Sequence, residues 1–112
     1  MSDIAKELFN QNPSKYMDGE STINELGEMY GLDGDFHAFF MILNSNHADY
    51  DDKLNTLELE YEMFSAGYED TSSGFLKEGG EVSRIGMFQS NFTVDQIHSI
   101  LGEVVFDVYQ IK

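Results

Sequence analysis

A small, mainly α domain is what this sequence predicts: four to five helices and one short β-hairpin near 75–85, in a single acidic globular domain spanning residues 1–112. Three observations carry that expectation. Two capping-box patterns, Thr22-Ile23-Asn24-Glu25 and Thr93-Val94-Asp95-Gln96, mark helix starts, because a Thr hydroxyl and a Glu or Gln side chain can satisfy orphan backbone N–H groups reciprocally. Apolar residues recur at spacings of three and four through Val94, Ile97, Leu101, Val104, Val108 and Ile111. Between Leu57 and Gly67 no β-branched residue occurs, and Leu, Glu, Met and Ala are good helix formers.

Taken in order, Ser2 can cap a first helix with Ile4 and Leu8 on one face. Pro13 ends it, because proline disfavours the helical region in the residue before it. A polar loop through Asp18-Gly19 leads to a second helix from Thr22, with Ile23, Leu26 and Tyr30 on one face and Gly31 as its C-cap. Asp33-Gly34-Asp35 forms a turn. The run FHAFFMILN that follows is apolar on all sides and suits a buried helix or a buried strand; Asp35 as N-cap, with Leu, Met and Ala in the run, points to helix. Phe36, Phe39, Phe40 and Leu43 are core candidates in either form.

The centre carries two patterns at once. Leu57, Leu59, Tyr61 and Met63 alternate with Glu58, Glu60 and Glu62 as in a strand, while Leu54, Leu57, Tyr61, Phe64 and Tyr68 follow helical spacing. Residue type selects a helix here, with Asn55 and Glu58 as its capping pair and Gly67 as its close. Gly79-Gly80 reads as a two-residue hairpin turn between short strands Phe75–Glu78 and Glu81–Ile85. In the last helix, Phe92 and Ile97 suit a hydrophobic staple. Gly102 and the β-branched, aromatic run VVFDVYQI object to a helix reaching the end of the stripe. The competing architecture is therefore α+β, with an antiparallel sheet that includes 56–64 and 103–111. Asn91-Phe92-Thr93 matches a glycosylation sequon and is read as chance.

Charge is the dominant global property. Asp and Glu number 21 against 6 Lys and Arg, a formal charge of −15 at neutral pH. Solubility alone needs a magnitude of roughly 2–8 in a small domain. Such a charge repels nucleic acid and anionic membrane, so direct nucleic-acid binding through Lys and Arg is excluded as a main mode. No apolar run is long enough to span a bilayer, no basic-then-apolar leader follows Met1, and cysteine is absent, so a cytoplasmic location is expected.

No motif for chemistry stands out, and the sequence predicts no enzyme and no cofactor. His47, Asp49, Asp51 and Asp52 crowd together, yet a calcium loop begun at Asp49 has Lys53 and Leu54 where an oxygen ligand and a glycine belong. Begun at Asp51, it meets Lys53 at the third position. Zinc is disfavoured by the absence of Cys and the scatter of His37, His47 and His98. His98 beside an apolar stripe reads as a packed or boundary residue. There is no Gly-x-Ser-x-Gly and no phosphate-binding glycine loop.

What remains is an acidic surface. Asp49, Asp51, Asp52, Glu58, Glu60, Glu62, Glu69 and Asp70 lie in one stretch opposed by Lys53. Glu58 and Glu62 one helical turn apart, or Glu58, Glu60 and Glu62 along one face of a strand, would make a ladder suited to a basic groove. The expected partner is a basic, nucleic-acid-binding protein. By analogy of size and charge alone, the class is that of small inhibitors from mobile elements or phage: nucleic-acid mimics, antirestriction and anti-CRISPR proteins, and nuclease immunity proteins. The alternative is an adaptor that binds a partner, or a second copy as a homodimer, through an apolar face, Phe36–Leu43 or the C-terminal stripe, with the charge serving solubility.

Overall fold

The computed structural model describes residues 4–17, 22–70, 73–89 and 91–111. Ser2 and the Asp18-Gly19 loop lie outside them. The described chain is α+β rather than mainly α. Helices α1 (Ile4–Gln11), α2 (Pro13–Tyr16) and α3 (Ile23–Met29) precede strand β1 (His37–Asn44). Helix α4 (Tyr50–Glu60), β2 (Phe64–Asp70) and β3 (Glu81–Phe88) follow. Helix α5 (Val94–Leu101), a 3-10 turn at Gly102–Val104 and β4 (Val105–Ile111) complete the order. The strands form one antiparallel sheet in the order β2-β3-β1-β4.

Strand β1 is the axis of the molecule and the main correction to the expected helix at Phe36–Leu43. Its odd residues Phe39, Met41 and Leu43 pack with Tyr50, Leu54 and Leu57 of α4 and Ile97 and Leu101 of α5. Its even residues Ala38, Phe40 and Ile42 pack with Ala5 and Phe9 of α1, Tyr16 of α2 and Leu26 of α3. Helices thus cover both faces of the sheet, and a strand covered on both faces must be apolar all round. Phe39 to Leu43 are each 0 % exposed. Complete burial is worth about 1.5–3 kcal/mol per large side chain, well above the ~0.7 kcal/mol that separates ordinary residues in helix propensity. Packing therefore decides the conformation. The burial also removes Phe36–Leu43 as an exposed adaptor face.

The predicted caps hold where sequence and tertiary packing agree. Thr22 Oγ1 accepts from Glu25 N–H at 3.1 Å, while Glu25 Oε1 accepts from the Thr22 hydroxyl, so the cap forms without the reciprocal half of the expected box. Helix α3 ends with Gly31 in the left-handed region (φ 73°). At that end Leu32 N–H donates to Gly27 O and Gly31 N–H to Glu28 O. Thr93 and Gln96 form a full capping box on α5. Phe92 is buried in the same core as Ile97. Gly102 (φ 56°) then stops the helix, and the β-branched run becomes β4, so the competing strand near 103–111 is the correct form.

Three boundaries differ from expectation. The central helix begins at Tyr50, not Asn55, and ends at Glu60, because Leu54 and Leu57 need Tyr50 beside them in the core. Residues 56–60 are therefore helical, and the expected strand 56–64 is replaced by β2, which starts at Phe64. Gly67 is the bulged residue of β2, where the register against β3 shifts between Ala66 and Tyr68, and is no helix cap. The hairpin strand expected at Phe75–Glu78 is absent. The Leu76 N–H of that segment and the Ser73 N–H before it go to the Glu81 carboxylate instead, and the Gly79 and Gly80 carbonyls accept from Asn46 Nδ2 and Ser45 N–H. Gly80 sits at φ 88°, where a side chain is strained, and a Cβ there would push the Asn46 amide away from the Gly79 carbonyl.

Candidate acidic interface

Helix α4 places four of the eight sequence-predicted carboxylates, Asp51, Asp52, Glu58 and Glu60, with Asp49 at its N-cap. Tyr50, Leu54 and Leu57 turn inward. At about 100° per residue, Asp51 and Glu58 then fall on one flank, Asp52 and Leu59 on the outer crest, and Glu60 on the other flank with Lys53. Asp49, Asp51, Asp52, Glu60 and Glu62 are exposed and Glu58 is half-buried, while Leu59 on the crest is 79 % exposed. Asp51 and Asp52 occupy the first turn, where the partial positive charge of the helix N-terminus favours them. Asp49 sits at the N-cap without a side-chain capping bond.

The helix is held to the sheet by polar contacts as well as apolar ones. Arg84 Nε of β3 donates to Tyr50 Oη at 3.2 Å, and its Nη1 donates to Ser65 Oγ at 3.2 Å. The single arginine of the chain is thereby engaged beneath α4. Thr56 Oγ1 donates back to Asp52 O at 3.0 Å.

The expected ladder does not form. Glu58 is in α4, but Glu62 lies beyond its end and has a left-handed backbone (φ 56°), an uncommon conformation for a side chain other than glycine. Around it Tyr61 N–H and Met63 N–H both donate to Leu57 O, turning the chain from α4 into β2. Glu58, Glu60 and Glu62 therefore point in different directions around the end of a helix. Glu69 and Asp70 fall in β2, opposite Ser83 and Val82, at the far end of the strand from Glu62.

A carboxylate that the sequence reading did not select joins this surface. Glu103, 92 % exposed on the 3-10 turn, lies 3.5 Å from His47 Nε2. His47 Nδ1 in turn accepts from Asp49 N–H at 3.0 Å, which assigns the ring proton to Nε2, facing Glu103. No local pattern links Glu103 to Asp49, since the sheet and α5 bring them together. Among the described residues, none of Asp49, Asp51, Asp52, Glu58, Glu60 and Glu62 makes an ion pair, and no three His, Asp or Glu side chains are grouped to hold a metal.

Two other carboxylates proved to be internal. Glu81, 2 % exposed, accepts from Ser73 N–H and Oγ and from Leu76 N–H. Burial pushes its carboxyl up, and the hydrogen bonds from Ser73, Leu76 and Phe75 together outweigh burial, leaving it below its ordinary value of 4.5. Asp107, 7 % exposed, accepts from Ala5 N–H at 2.8 Å and so ties the start of α1 to β4. Each is a lone acid in an apolar strand run, EVSRIGMF or VVFDVYQI, which is the signal that sets them apart from the surface acids.

Two open clefts lie elsewhere. One is lined by Asn24, Glu28, Leu32, Asp33, Gly34 and Phe36, the other by residues of α1, α2 and α3 with Ile111. No described helix is long and apolar enough to cross a membrane. The architecture defines an α+β protein with a four-stranded antiparallel sheet between two helical layers. Beyond that class, no protein-family model, curated protein or solved structure matches the chain.

Proposed function

We propose that this protein is a small binding protein, of inhibitor type, that presents α4 and its flanks to the basic site of a nucleic-acid-handling protein. The observation that carries the reading is the set of carboxylates on an 11-residue helix anchored from below by Tyr50, Leu54 and Leu57: exposed at Asp51, Asp52 and Glu60, half-buried at Glu58, and making no ion pair among the described residues. Such a helix holds its charges on a firm scaffold about 16 Å long. Attraction between this surface and a basic groove speeds encounter and penalises acidic competitors.

The test uses the full chain as bait at low and then moderate salt, beside a variant carrying Asp51→Lys, Glu58→Lys and Glu60→Lys. Retention at moderate salt of one basic, nucleic-acid-binding protein, its loss with the variant, and displacement of that protein's nucleic acid by the wild type are expected. A partner held equally by both chains would sink the proposal, as would capture limited to many basic proteins that wash off together.

A further inference from the structure

The sheet has two edges, and they are not alike. At one, β2 ends in Glu69-Asp70, a like-charged pair of the kind that discourages a further strand. At the other, β4 reads VFDVYQI, with no proline and no lysine or arginine. Its one charge, Asp107, is turned inward and already bonded to Ala5 N–H, so it guards nothing on the outside. A bulge shifts the pairing with β1 between Ile42 and Leu43, which leaves the stretch from Asp107 to Ile111 in regular register. Val108, Tyr109, Gln110 and Ile111 there are each half-buried, with Val108 packed on one core and Tyr109 and Ile111 on the other. On a chain of charge −15, this is an edge whose side chains between Val108 and Ile111 are all uncharged.

We propose that β4 is a pairing edge for a second copy of this chain, joined antiparallel across a two-fold axis into one continuous eight-stranded sheet. An identical strand is the occupant this edge fits. Two-fold antiparallel pairing sets uncharged side chains opposite uncharged side chains on both faces, with no like-charge pair to separate. It also closes: β4 against β4 is isologous and stops at two copies, whereas β4 against β2 would propagate and would have to accept Glu69-Asp70. The opposing term is repulsion between two molecules of charge −15, which salt screens. Dimerisation therefore strengthens with salt. Binding of a basic partner by α4 weakens with it, so the two proposals fail independently.

The experiment is sedimentation equilibrium of the full chain from roughly 10 µM to 1 mM, at salt from about 0.05 to 0.5 M. Hydrogen exchange is followed at both ends of the concentration range. The expected result is a mass that doubles with concentration, more readily at high salt, with added protection at the amides of β4 and not of β2. Gln110→Glu and Gln110→Lys should both shift association to at least tenfold higher concentration, because each puts a charge into the paired stretch. Gln110→Ala, which like them removes the contact of Gln110 Nε2 with His37 Nδ1 at 3.1 Å but adds no charge, should associate as the wild type does; circular dichroism verifies that each variant is folded. Four outcomes overturn the proposal. These are a monomer under every condition, a dimer favoured by low salt, a dimer without added protection in β4, and a dimer that only one of the two charges weakens.

Discussion

Glu81 and Glu60 are the same chemical group put to opposite uses. The first is enclosed at 2 % exposure with donors gathered around it; the second stands on the outside of α4 with no ion pair. Asp107 belongs with the first, and Asp51, Asp52 and Glu62 with the second. An enclosed carboxylate without its donors would cost several kcal/mol, so the fold has built a loop and a helix start around these two. An exposed one costs little and stabilises little. The difference separates charge that holds the protein together from charge available to something else, and it can be broken by substitution.

Removing Glu81 should have the largest effect. Glu81→Ala orphans the Ser73 and Leu76 N–H groups and is expected to lower stability by about 2–3 kcal/mol in denaturant unfolding, with no loss of α4. The same group sets a pH dependence. Its folded value lies below its ordinary 4.5, so its contribution is fully present above that value and is lost as pH falls through the folded one. The stability difference between wild type and Glu81→Gln should accordingly shrink below pH ~4.5; a constant difference would mean that the carboxylate charge is not what the loop uses.

Asp107→Ala comes next, at about 1–2 kcal/mol, because one buried N–H at Ala5 loses its acceptor. Exchange of the α1 amides should accelerate more than that of α5. Glu62→Gly should act in the other direction. Glycine adopts φ 56° without the penalty that a side chain carries, so melting should show a gain of about 1 kcal/mol. Under the proposed function the same change weakens partner binding, which would identify the backbone strain at Glu62 as maintained for its carboxylate. The smallest effect belongs to Glu60→Gln at the C-terminal end of α4, where a negative charge meets the negative end of the helix dipole. A gain of about 0.3–0.5 kcal/mol is expected, and a loss comparable to that of Asp107→Ala would erase the distinction between the two sets.

Sequence alone reached some of this and missed the rest for identifiable reasons. Thr22 and Thr93 were legible as caps because a capping box is local and the tertiary structure does not contest it. Gly102 and the run after Leu101 spoke against a long helix, and the structure sides with them. Phe39, Phe40 and Leu43 were legible as core, but their conformation was not, since a strand buried on both faces loses the alternation that identifies strands. The helix at α4 was legible in type and displaced at both ends, because Tyr50 is drawn into the core from one side and β2 claims the other. Of the acidic stretch, the crest and flanks of α4 were in view. The approach of Glu103 to His47 and the burial of Asp107 against Ala5 depend on contacts between residues far apart in the chain, whereas Glu81 is enclosed by Ser73 and Leu76, eight and five residues away.

The pairing of β1 with β4 has a consequence for how the molecule is made. Ala38 finds its partner in Ile111, and Phe40 in Tyr109. A ribosome releases β1 before either partner strand exists; β3 can close one of its edges first, and the other edge of this most apolar segment stays open until the last residues of β4 emerge. Closure of so distant a contact is slow compared with formation of the local helices. During that wait FFMIL is the segment a chaperone would grip, or on which nascent chains would aggregate. The carboxylates of the stretch that follows it leave the ribosome in the meantime, and their mutual repulsion keeps unfinished chains apart.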